Sequence, residues 1–302
     1  MRGCHGTELI GIVCSDLHLS HKPPIWRSCE PDWYEAMKRQ LIELSDLQSR
    51  LDDTIIYCAG DIFDKWNAPA ELINFAINTL PMMITIPGQH DMPSHNFEEL
   101  DRSAYGTINY ANTIRDISGG EDENRIGWRG FAWGSEPPKR KGEEFFGVSL
   151  IHEYVWMPGK SYKDAAEGGN TKQIAIKYDS KLVVSGDNHI HFYDKTNNVY
   201  NCGGFYRRTK DQIDHHPCVG LVYNDYHVVP YRLDISGDVH LTEQQSEEMR
   251  VANEELKQYI HGLSALGETN IDFQHVVARY LEKTSVSENV RQYLRKCLLD
   301  EA

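Results

Sequence analysis

The 302-residue sequence contains no apolar run approaching the roughly 18 residues of a membrane-spanning helix. Its opening apolar stretch is broken by Ser15, Asp16 and His18, so it reads as neither a signal peptide nor an anchor, and no membrane partner is expected. Cysteine pairing is also missing. The seven cysteines (Cys4, Cys14, Cys29, Cys58, Cys202, Cys218 and Cys297) are odd in number and never spaced C-x-x-C. That pattern excludes a disulfide framework and a zinc ribbon, and it predicts reduced thiols in a cytoplasm. Positive charge is scarce: 31 Lys and Arg face 45 Asp and Glu, a net charge of −14. This balance disfavours coating DNA or acidic membranes through bulk charge, while it leaves room for one cationic or metal-lined groove. No repeat at a spacing of about 20 to 50 residues is present, which removes solenoids and propellers.

What is present is an ordinary globular composition, with 40% apolar and 25% charged residues. Short runs rich in β-branched residues recur as LIGIVC (9–14), TIIYCA (54–59), MMITIP (82–87), GVSLIH (147–152) and KLVVSG (181–186), and read as buried strands. Between the first three lie helical patterns at 31–51, striped by Trp33, Met37, Leu41 and Leu44, and at 69–80, opening on Pro69. The order βαβαβ predicts an α/β layer. NVYNCGG, CVGLVYND and YHVVPYRL, between 198 and 233, predict an antiparallel extension of the sheet. After Ser236 the texture changes to helical stripes at 241–263, 271–283 and 286–299. Two domains are expected, 1–235 and 236–302, the second a helical cap or docking piece.

Each of the five strand runs ends in oxygen and imidazole groups: Asp16-Leu-His18, Gly60-Asp61, Gly88-Gln89-His90-Asp91, His152 and His189-Ile-His191. One D-x-H alone means little, because about one match is expected by chance. Asp214/His216, Asp225/His227 and Asp238/His240 repeat it without a buried strand upstream. Ligands in open α/β sheets collect beyond the carboxyl ends of strands, so position discriminates. Four imidazoles and two aspartates gathered there are costly to bury without a cation. A pair of divalent cations needs such a set, and it serves to clamp a phosphate and activate a water, which points to phosphoester hydrolysis.

In this order, D-x-H, GD-x-x-D, G(N/Q)HD, H and H-x-H resemble the calcineurin-like metallophosphoesterase superfamily over about residues 9–233. GDIFD and NCGGFYRR are similar to segments of the SbcD-type DNA nucleases, especially short virus-encoded versions. The resemblance implies a β-sandwich flanked by helices, in α-β-β-α layers, with a small C-terminal helical appendage. It implies that Asp16, His18 and His191 hold one cation, that Gln89, His152 and His189 hold the other, and that Asp61 bridges them. It makes His90 the general acid, with Asp91 fixing its tautomer, and Asp64 a structural partner. Manganese is the first expectation for the metal, ahead of magnesium, iron or zinc. Two departures stand out: Gln89 replaces the family's Asn, and Asn188 replaces the Gly before the paired histidines.

For substrate contacts, Arg207, Arg208 and His95 are the candidates, while Lys139-Arg140-Lys141 reads as a solvated loop. The resemblance implies a nuclease, exo- or endonucleolytic, in DNA recombination or repair. DNA is the expected substrate, and an SbcC-like coiled-coil ATPase or a second copy of the chain the expected partner. The site of action would be the cytoplasm, that of the host for a virus-encoded protein. A phosphodiesterase or phosphatase for small nucleotides or phosphoproteins is the first competitor, and the acidic charge favours it. A non-catalytic binding subunit with a degenerate site is the second.

Overall fold

The computed structural model describes residues 7–119, 127–137, 146–157 and 169–242, together with 244, 245, 247, 248, 251 and 254. The first unit, Met1–Pro23 with Glu30–Asp238, carries two large sheets and one two-stranded sheet among the described residues. In chain order its elements are β1 (Leu9–Cys14), α1 (Trp33–Arg50), β2 (Ile56–Cys58), α2 (Ala70–Thr79), β3 (Met83–Thr85), α3 (Ala104–Tyr110) and β4 (Ile114–Asp116). There follow β5 (Trp128–Phe131), β6 (Phe146–His152), β7 (Val155–Trp156), β8 (Gly169–Asn170), α4 (Thr171–Tyr178) and β9 (Ser180–Gly186). The last are β10 (Phe192–Asp194), β11 (Val199–Asn201), β12 (Cys218–Tyr223) and β13 (Val228–Arg232).

One sheet has the order β13-β12-β1-β2-β3-β4 and the other β10-β11-β9-β6-β5. β1 to β4 are parallel, as the βαβαβ pattern predicts, and β12 and β13 extend them antiparallel. The expected antiparallel extension is corrected at Val199–Asn201. That strand pairs parallel with β9 in the second sheet, and its hairpin partner β10 supplies the antiparallel edge.

Side-chain alternation shows how the layers arise. Ile12 and Cys14 in β1, Ile56 and Cys58 in β2, and Met83 in β3 face a core shared with Met37, Leu41 and Leu44 of α1 and with Leu72, Ala76 and Ile108. Their neighbours Val13, Tyr57 and Ile84 face Trp128, Val148, Leu150, Leu182, Val184 and Tyr200 from the second sheet. On that sheet's far side, Ile151, Val183 and Val199 pack on Ile174 and Tyr178 of α4. Period-two strands buried on both faces thus give helix, sheet, sheet and helix layers. Across the sandwich Tyr57 and Trp128 stack with centroids 3.6 Å apart and planes 3° from parallel, a pairing worth about 0.5–1.5 kcal/mol beyond its buried area. α1 starts where Asp32 accepts from the Glu35 amide at 3.1 Å.

The second unit comprises Pro24–Cys29 and Val239–Ala302. Within it the Trp26 and His240 rings stack at 5.4 Å, and the Leu241 amide donates to the Trp26 carbonyl at 2.9 Å. Nearly all of the expected tail helices, and Lys139-Arg140-Lys141, lie outside the described residues. No helix among the described residues is long and apolar enough to cross a membrane.

Candidate metal centre

The loops leaving β1 and β2 are laced together: the amides of Asp16, His18 and Leu19 donate to the carbonyls of Gly60, Asp61 and Ile62 at 3.0, 2.9 and 2.8 Å. This lacing holds Asp16 (φ 52°), His18 (φ 43°) and Asp61 (φ 53°) in the left-handed region. A non-glycine residue is strained there by about 1–3 kcal/mol, a cost that persists only where surrounding contacts fix the conformation. Gly60 (φ +94°) is required beside them, since a Cβ on it would stand 2.4 Å from His152 Nδ1. A Cβ on Gly88 would stand 2.1 Å from Asp61 Oδ1.

Among the described residues three sets of donors come together, Asp16 with His18 and His189, Asp16 with Asp61 and His152, and His18 with Asp64 and His90, each set within 4.8 Å. His18 Nε2 and His189 Nε2 face each other at 3.0 Å, and both approach Asp16 Oδ1, at 3.8 and 3.6 Å. Asp61 Oδ2 stands 3.3 Å from His152 Nε2 and 3.6 Å from His18 Nε2. Two donors on one cation at about 2.1 Å each lie roughly 3.0–3.4 Å apart, so the spacing is close to that of ligands sharing an ion.

Hydrogen bonding decides the ring tautomer. His152 Nδ1 lies 2.5 Å from the Ala59 carbonyl. A carbonyl only accepts, so Nδ1 carries the hydrogen and the Nε2 lone pair of the neutral ring points at the Asp61 carboxylate. Both Asp61 Oδ2 and His152 Nε2 are buried without a hydrogen-bond partner. Burial works against charge on His152, yet facing Asp61, Asp16 and Asp187 hold its pKa well above the ordinary value. Burial likewise opposes charge on Asp61, but His152 and His18 bring its pKa below the usual carboxylate range. Asp16 is pushed up to about 7 by burial. His18 is held well below the ordinary histidine value by burial, and His189 is lowered to about 4 by burial and by the Arg208 guanidinium. The neutral imidazoles of His18 and His189 and the orphaned Asp61 oxygen are donors that divalent cations take.

Gln89 fits the same set. Its amide nitrogen donates to Asp187 Oδ1 at 2.7 Å, which leaves Oε1 as a buried acceptor with no partner. Asp187 is the residue that sequence reading missed. Its amide also donates to the Asp16 carboxylate at 3.1 Å, so it ties the β9 loop to the β1 loop. Its one sequence signal was its place in Asp187-Asn188-His189 after a buried strand. Asn188, the departure from Gly, is structural: it donates to the Val155 carbonyl at 2.8 Å and accepts from the Ile190 amide at 3.0 Å.

His189 stands with Asp16 and His18, and His191 lies edge-on to Tyr200 at 5.2 Å. The expected pairing of His90 with Asp91 is corrected. Asp91 does not touch His90. Its buried carboxylate accepts from the amides of Phe63 at 3.0 Å, Gly88 at 3.0 Å and Ile62 at 3.3 Å, while burial and neighbouring Asp61 push its pKa up to about 7. His90 is oriented instead by Asp64, whose carbonyl takes Nδ1–H at 2.8 Å and leaves Nε2 as the exposed, exchangeable position. Arg207 is a framework residue, bound to Asp238 at 3.0 Å and to the Ile213 carbonyl at 3.3 Å. Arg208 reaches the site, pairing with Asp64 Oδ1 at 2.5 Å, and Asp64 also stands 3.8 Å from His18 Nδ1. His95 is exposed against Trp133, with ring centroids 5.4 Å apart, and is in none of the clusters.

A family model for the calcineurin-like phosphoesterases matches residues 12–191, the span from β1 to the last paired histidine. The chain belongs to that family. This phosphoesterase is a metal-dependent phosphoester hydrolase whose donor clusters suit divalent cations. Solved structures similar to it include a novel archaeal phosphodiesterase, at 11% identity over 74% of this chain and 99% of the other, with a TM-score of 0.37. A metallophosphoesterase from Sphaerobacter thermophilus matches at 13% identity over 75% and 88%, with a TM-score of 0.35. The calcineurin-like phosphoesterase YfkN from Bacillus subtilis matches at 13% identity over 85% and 100%, with a TM-score of 0.40. No curated protein matches the sequence.

Proposed function

We propose that the protein is a DNA nuclease of the SbcD type, hydrolysing phosphodiesters with two divalent cations, manganese foremost. The observation that carries this reading is Arg208, the second arginine of NCGGFYRR, which pairs with Asp64 beside His18 and His90. A guanidinium at that edge suits the phosphate backbone flanking a scissile bond. Asp16, His18, Asp61, Gln89, His152, His189 and His191 are the residues that would hold the cations. When bound, the cations supply positive charge that polarises the phosphoryl oxygens and favours attack by water. His90, held by the Asp64 carbonyl, donates from Nε2 to the departing oxygen as the ester P–O bond breaks.

A phosphodiesterase for small nucleotides is the second reading, favoured by the net charge of −14. An assay with manganese on single-stranded DNA, duplex DNA, bis-p-nitrophenyl phosphate and cyclic nucleotides separates the two. The nuclease reading expects cleavage of DNA and of the small diester. Turnover of cyclic nucleotides alone overturns it. Docking on a coiled-coil ATPase through residues 236–302 belongs to the same reading, and co-purification with such a protein tests it.

A further inference from the structure

A cavity of about 260 Å³ opens between the loop after β1 and the start of α2. It is smaller than the roughly 300–1,000 Å³ of a site for a drug-sized ligand, which leaves room for about one nucleoside. Its lining includes buried Leu19 and Leu72 with Ala68, and Lys22 and Lys65 stand among the same lining residues. Among the described residues neither lysine has an ion-pair partner. The nearby carboxylates are engaged elsewhere, Asp64 with Arg208 at 2.5 Å and Glu71 3.6 Å from His21. Asp64 is also a wall of the cavity and the residue whose carbonyl orients His90. Asp64 thus borders both the cavity and the edge of the centre that carries His90.

We infer that this cavity is a subsite for the nucleotide on the leaving side of the scissile bond, its sugar and base over Leu19 and Leu72, and a second phosphate on that nucleotide bound by Lys22 and Lys65. The subsite rests on the phosphodiester hydrolysis proposed above. It assigns the enzyme a substrate class in which the leaving nucleotide carries its own phosphate, as within a nucleic acid chain and unlike a simple diester. A lining with both apolar side chains and two cations is what such a group needs, since the base loses apolar contact with water while the phosphate gains charge-assisted bonds.

The test compares hydrolysis by the full-length manganese-loaded protein of bis-p-nitrophenyl phosphate, dithymidylate, and dithymidylate phosphorylated at either its 5′ or its 3′ terminus. The products identify which nucleoside leaves as the alcohol. The subsite predicts that a terminal phosphate on that nucleoside lowers KM by about tenfold, and that Lys22→Ala with Lys65→Ala abolishes the preference while Lys22→Arg with Lys65→Arg keeps it. Equal KM values for all dinucleotides, preference for a phosphate on the retained nucleoside, or preference surviving the alanine pair would overturn the subsite. In each of those cases turnover of bis-p-nitrophenyl phosphate leaves the parent reading standing. Absence of turnover on every diester defeats that reading and the subsite with it.

Discussion

His152 Nε2 stands 3.3 Å from Asp61 Oδ2, in the dry interior, with the opposite nitrogen of the same ring committed to the Ala59 carbonyl. A lone pair and a carboxylate oxygen in that arrangement need a positive charge between or beside them, a proton or a metal ion. The strained backbone at Asp16, His18 and Asp61 is fixed by the hydrogen bonds between their two loops, which set these donors around that position.

Replacing His90 with Ala should lower the rate on an alkyl-ester leaving group by roughly 10²–10⁴-fold, as for a missing general acid. The loss should be much smaller with p-nitrophenolate, which departs without a proton, and bound metal should be unchanged by elemental analysis. Equal losses on both substrates would remove His90 from that role.

Asp91→Asn should act on stability rather than on proton transfer. An asparagine presents an NH₂ where the carboxylate accepts three backbone hydrogens, so about 1–3 kcal/mol is expected to be lost in denaturant unfolding. The pH profile of kcat should keep its shape. A shifted acid limb would restore Asp91 as the partner that sets His90.

Much of this was legible in the sequence, for a physical reason. Parallel strands buried on both faces read as continuous apolar runs, and ligands cluster at their carboxyl ends, so β1, β2, β3, β6 and β9 and their attached Asp and His residues stood out together. Val199–Asn201 was misassigned because a three-residue strand carries no signal of which neighbour it joins. The partner of His90 was hidden because Asp64 orients it through a backbone carbonyl, which any residue type supplies. Arg207 and Arg208 are adjacent and chemically identical, and only the fold sends one to Asp238 and the other to Asp64.

Stability should fall in mild acid through His215. Its Nε2–H donates to the Gly204 carbonyl at 2.8 Å, and burial lowers its pKa from the ordinary 6.5. The unfolded chain binds that proton more tightly than the folded one. The contribution is thus complete above pH 6.5 and is lost as the pH falls below it toward the folded value. In His215→Gln the fall in Tm between neutral pH and about pH 5 should be shallower. An identical slope would show that His215 has no part in it.

The central claim is that Asp61 and His152 complete a site whose cations make the phosphoesterase work. Its most direct test is a manganese titration of chelator-stripped protein, followed by bis-p-nitrophenyl phosphate hydrolysis and metal content, for the wild-type chain and Asp61→Asn. The wild type should be inactive when stripped and regain activity up to two bound equivalents. Asp61→Asn should bind less metal and lose at least about 10³-fold in rate. Full turnover by the stripped wild type, or wild-type metal content and rate in Asp61→Asn, would contradict the account.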